Sequence, residues 1–123
     1  ASKSLSVRGA WEAVQHGSCS RLADDLRAQG SEVLRSLASG QKLESGAALP
    51  ISDEALRDLF RSQRHTLKLQ WDEQAVGEEA VRKEYWQELK ESLAREEVLV
   101  RQQNARLADQ RLAETLKRWQ EWL

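Results

Sequence analysis

From Ser52 to Leu123 apolar residues return every three or four positions among dense charges, with no proline and a single glycine, Gly77. That period is helical, so the stretch predicts either one very long helix or two helices broken at Gly77. Unbroken, it would run about 106 Å at 1.5 Å per residue, longer than any single small core requires. Such a rod has to pack along other helices. Gly77 alone offers almost no loop between a second and a third helix.

The N-terminal third carries a weaker helical pattern. Val7, Trp11, Val14, Leu22, Leu26, Val33 and Leu37 fall close to one stripe. Gly17 and Gly30 interrupt it, each costing up to about 1 kcal/mol against alanine. The reading is a nearly continuous kinked helix, with three short helices as the alternative. Between Ser39 and Ile51 the periodicity stops, and Gly40, Gly46 and Pro50 mark a loop. A new helix starts cleanly after it. Ser52 suits an N-cap, Asp53 and Glu54 place negative charge in the first turn, and Ile51 with Leu56 has the spacing of a hydrophobic staple.

The loop allows the chain to reverse, setting Leu56, Phe60, Leu67 and Trp71 against the N-terminal stripe. The expected fold is therefore all-α: an antiparallel helical hairpin extended by a long C-terminal coiled-coil helix. Its parts are an N-terminal amphipathic helix at 1–38, a loop at 39–51, and a long helix at 52–123 with a break, if any, near 77. On this reading everything beyond about Trp86 lacks a partner within the monomer and forms an assembly arm.

That arm has two apolar stripes of its own. Trp86, Leu93, Val100 and Leu107 repeat every seven residues, and so do Val98, Ala105, Leu112 and Trp119. The stripes are offset by about 140° around a helix at 100° per residue. Either the arm touches two neighbours, or one stripe hands over to the other along a bending helix. Glu96, Gln103 and Gln110 fall at d-like places of the first seam, where polar residues set register and partner choice. The chain closes on Trp119, Trp122 and Leu123, three large apolar residues that are costly to leave in water. The candidate partner-binding residues are Trp86, Leu93, Val100, Leu107, Leu112, Leu116, Trp119, Trp122 and Leu123. Pairs such as Glu79–Lys83, Glu97–Arg101 and Glu114–Arg118 stand at i,i+4 in the favourable order.

Composition narrows the function. A charged fraction of 32% suits an elongated shape with much surface. The net charge of −1 provides no global field for nucleic acid or anionic lipid, and no nucleic-acid partner is expected. Arg57, Arg61, Arg64 and Lys68 line one side of a helix, but acids lie close by and a solvated face is the simpler reading. Five Trp in a polar helical chain suggest interface anchors. Cys19 is the only cysteine, so it reads as a small buried hydrophobe in a reducing, intracellular and cytoplasmic setting. No apolar run reaches the length of a membrane span. The chain has no Met and starts at Ala1, which suggests a processed form or an excised fragment.

No chemistry-bearing pattern stands out. His16 and His65 are the only histidines, and with Cys19 they make no metal-ligand spacing. The glycines form no phosphate-binding fingerprint, and no serine sits in a nucleophile motif. Catalytic, cofactor-binding and metal-binding residues are expected to be absent. The expected function is a non-enzymatic helical scaffold or adaptor of the cytoskeletal, centrosomal, kinetochore or tethering kind. It would self-associate or join a hetero-oligomeric helical complex. The alternative is a membrane-surface module using the N-terminal amphipathic helix.

Overall fold

Nothing between Ser2 and Ala38 ends a helix by itself, since an interior glycine costs only about 1 kcal/mol. The computed structural model describes residues 2–42, 46 and 48–123, with side chains from Val7 onward except at 42. It shows α1 (Ser2–Ala38) running unbroken through Gly17 and Gly30. Two short strands, β1 (Gln41–Lys42) and β2 (Ala48–Leu49), then pair antiparallel with Gln41 opposite Leu49. They occupy the stretch expected as a loop at 39–51, of which residues 43–45 and 47 lie outside those described.

Helix α2 (Asp53–Gln74) begins as its sequence dictates: Ser52 is extended, and its hydroxyl accepts a hydrogen bond from the Ala55 N–H at 3.2 Å. The helix ends at Ala75, whose N–H still bonds the Trp71 carbonyl. Helix α3 (Glu79–Trp122) then runs for 44 residues, about 66 Å. The chain thus breaks at Gly77, and the unbroken 52–123 rod is not formed.

Contacts along the chain give the directions. Glu78 at the start of α3 and Glu96 within it meet Gln15 and Ser31, and Leu107 lies against Gly40, so α1 and α3 are parallel. Ile51 bonds Asn104, Arg64 bonds Glu97 and Trp71 lies by Trp86, so α2 is antiparallel to α3 and hence to α1. The result is an up-down-up bundle. The expected hairpin is present, with the long third helix laid mainly along α1.

The core is Cys19, Ala23, Leu26 and Leu34 of α1, Leu56, Phe60, Leu67 and Trp71 of α2, and Leu89, Leu93 and Val100 of α3. The α2 set is the one its periodicity predicts. On α1 the expected stripe is rotated. The buried line runs Gln15, Cys19, Ala23, Leu26, Gly30, Leu34, whereas Val7, Trp11, Val14 and Val33 are exposed. Small residues occupy that line because three helices converge there. A Cβ at Gly30 would stand 2.8 Å from Leu93 Cδ2 and 3.3 Å from Leu67 Cδ1.

The phase of α3 also differs from expectation. Polar residues do enter its seam, but they are Glu97 and Asn104, four residues after Leu93 and Val100, rather than Glu96 and Gln103. Both are satisfied. Glu97 accepts two bonds from Arg64 Nη1 at 2.6 Å. Asn104 pairs with the backbone of Ile51, accepting from its N–H at 2.8 Å and donating to its carbonyl. Those two contacts tie α3 to the middle and to the start of α2.

Candidate partner-binding arm

The turn between α2 and α3 lets this chain cover much of the surface that sequence reading assigned to partners. Gly77 has φ +118°, in the region glycine favours, and the space beside it is taken by Gln15. Gln15 is buried, and its Oε1 accepts from the Glu78 N–H at 2.7 Å, satisfying a donor at the start of α3 that no local side chain caps. One turn further along α1, the Cys19 thiol donates to the Val76 carbonyl at 3.3 Å. Burial pushes the Cys19 thiol up from its ordinary value, although Arg82 opposes the shift, so it packs as a neutral group. His16 Nδ1 lies 3.0 Å from the Tyr85 hydroxyl, and burial raises the phenol together with Glu84 and Glu88. Two residues of α1 therefore clamp the turn, and a third ties down the first turns of α3.

Because of that reversal, four of the nine candidate residues already have intramolecular neighbours. Leu93 and Val100 are core residues of this chain and provide no partner surface. Trp86 is half-buried, 6.2 Å from Trp71 between ring centroids, with the Lys68 ammonium 5.1 Å over its ring. Leu107 is half-buried against Gly40. The remaining five, Leu112, Leu116, Trp119, Trp122 and Leu123, are exposed, Trp119 by 63% and Trp122 by 87%. They lie where α3 has outrun the rest of the bundle.

Of the two stripes read from the sequence, the first is thus internal and the second external. Val98, Ala105, Leu112 and Trp119 are all exposed, and Leu116 and Leu123 fall on the same side of the helix. This apolar line starts alongside the bundle at Val98 and continues onto the free arm. At its far end Trp119, Trp122 and Arg118 enclose a shallow apolar depression. A second exposed apolar group, Val7, Trp11 and Val14, sits at the opposite end, where α1 leads into the bundle. There Trp11 lines a cavity with Arg8, Glu12, Gln15, His16, Glu78 and Val81.

The basic line on α2 is neutralised within the chain: Arg57 pairs with Asp53, Arg61 with Asp58, Arg64 with Glu97 and Lys68 with Asp72. Among the described residues no cluster of His, Cys, Asp and Glu could hold a metal ion, and no helix is long and apolar enough to cross a membrane. Comparison with known protein families, curated proteins and solved structures finds no match to this chain.

The sequence reading passed over Gln15 and Asn104, and it took Gly30 for a helix interruption and Glu97 for a partner of Arg101, whereas all four join the helices. On α1 the available signal was spacing alone: 15, 19, 23, 26, 30 and 34 are three or four residues apart, which keeps them on one side of a helix. Apart from Leu26 and Leu34 that line is filled by small and polar residues that a search for large apolar side chains skips.

Proposed function

We propose that this chain is a non-enzymatic assembly module, a helical scaffold or adaptor whose bundle holds out the end of α3 as a docking arm. The observation that carries this reading is the row of exposed apolar residues on one side of α3, Val98, Ala105, Leu112, Leu116, Trp119 and Leu123, densest at its end. Large apolar residues gathered on one exposed helix face mark an interaction site, and tryptophan is among the side chains most enriched in interface hot spots. A line at helical spacing suits a partner helix, so the occupant is a helical protein surface in a coiled-coil-like contact. Cytoskeletal and tethering assemblies are the class of setting proposed, in a cytoplasmic compartment where an unpaired, buried Cys19 stays reduced.

The test is the double variant Trp119→Ala, Trp122→Ala. Association, with itself or with a captured helical partner, should weaken by at least about 2 kcal/mol, while far-ultraviolet circular dichroism stays unchanged because the core lies elsewhere. Loss of helicity together with association would make these residues ordinary core, and no change in either would remove the arm as a site.

A second reading has one observation in its favour. Val7, Trp11 and Val14 are exposed on one part of α1 and could lie on a lipid surface. Flotation with anionic vesicles tests it, and failure to float with wild-type protein eliminates it.

A further inference from the structure

The helical register of the bundle continues past both of its ends. Arg8 and Glu12 lie one heptad before Gln15 and Cys19, so they stand on the side of α1 that faces into the bundle. Both line the cavity that also holds Trp11, His16 and Glu78. At the other end Glu114 lies one heptad after Leu107 and Arg118 two heptads after Asn104, on the bundle-facing side of α3. Trp122 is one turn beyond Arg118 on that side. All four charged residues are exposed, and none has an ion-pair partner among the described residues.

We propose that copies of this chain associate head to tail, with the α3 arm of one lying parallel against the first turns of α1 of the next. The partner is a second copy because the charges are complementary in a way that fits the fold. Arg8 and Glu12 are separated by four residues, and so are Glu114 and Arg118, with the signs exchanged. A single parallel register therefore sets Arg8 against Glu114 and Glu12 against Arg118. Parallel is already the direction in which α3 lies on α1 inside each bundle, so the intermolecular contact continues the intramolecular one. In that register Trp122 comes level with His16, at the cavity lined by Trp11 and Val81. The indoles supply the apolar contact and the exposed ion pairs select register and direction. An interface that joins two different patches does not close on itself, so the expected product is an open series of copies rather than a dimer.

This inference rests on reading the arm as a docking element, and the experiment separates the two. Sedimentation velocity of the full chain across a concentration series should show a mean mass that rises past the dimer without a plateau. Two charge-exchange variants are compared with it: Arg8→Glu with Glu12→Arg, and Glu114→Arg with Arg118→Glu. Each should self-associate about tenfold more weakly, since two attractive contacts become repulsive. An equimolar mixture of the two should regain wild-type association, because every arm then finds a complementary α1. Helicity should be equal in all four samples. A wild-type chain that stays monomeric, association that stops at a dimer, or a mixture that stays dissociated overturns the head-to-tail contact. If association survives both charge exchanges but is lost in the tryptophan double variant, the arm still docks and this geometry is wrong. If it survives all three, both readings fall.

Discussion

Gly17 and Gly30 sit on the same helix and have opposite consequences. A Cβ at Gly17 would meet nothing within 4 Å, whereas one at Gly30 would press on Leu93 and Leu67 in the core. Gly17→Ala should therefore stabilise the protein by up to about 1 kcal/mol through helix propensity. Gly30→Val should destabilise it by about 1–3 kcal/mol through overpacking. Urea unfolding of the two variants checks this, and similar midpoints would mean that α1 does not pack as closely as described. In sequence the two positions look alike, as interruptions of an amphipathic helix. What distinguishes them is the approach of residues 37 and 63 positions away.

At the scale of elements, the helices are joined by a few polar contacts that span the chain. Glu97 was expected to pair with Arg101 on its own helix. Instead it bonds Arg64 of α2, and Arg101 reaches Asp53 at 3.0 Å. The Glu97 side chain is only 11% exposed, so removing its partner strands a nearly buried carboxylate. Arg64 itself is more exposed, which moderates the effect. Arg64→Ala is expected to cost about 2 kcal/mol. Arg57→Ala, which breaks an exposed pair with Asp53, should cost no more than about 0.5 kcal/mol. Thermal melts of both variants in low salt provide the comparison, and equal losses would show that the Arg64 contact is an ordinary surface pair.

For the whole molecule, the stagger of the helices determines shape. Helix α3 alone spans about 66 Å, and α1 starts below the level at which α3 begins, because Gln15 is already level with Glu78. Small-angle scattering of the monomer should give a maximum dimension of about 85 Å and a radius of gyration well above the roughly 14 Å of a compact chain this long. A value close to 14 Å would mean that the arm folds back onto the bundle. The stagger also leaves apolar residues exposed at both ends, and both proposals depend on it.

The helical content, the capped start at Ser52 and the buried line of α2 were legible because each depends on residues close in sequence. Ser52 bonds its own helix, and Leu56, Phe60, Leu67 and Trp71 are large enough to declare their side. The tryptophans at the end of α3 stood out in the sequence as costly to leave in water, but their exposure depends on where the bundle ends. Whether the chain continued or reversed at Gly77 was not legible, because nothing local decides it. The turn is held by Gln15 and Cys19, which reach Glu78 and Val76 from more than fifty residues away. That reversal buried Leu93 and Val100 inside the chain and left Leu112, Leu116, Trp119 and Trp122 outside it. Sequence periodicity determined that α3 has two apolar sides. Tertiary structure alone decided which side this chain covers, because that depends on where the first helix lies when the third one folds back.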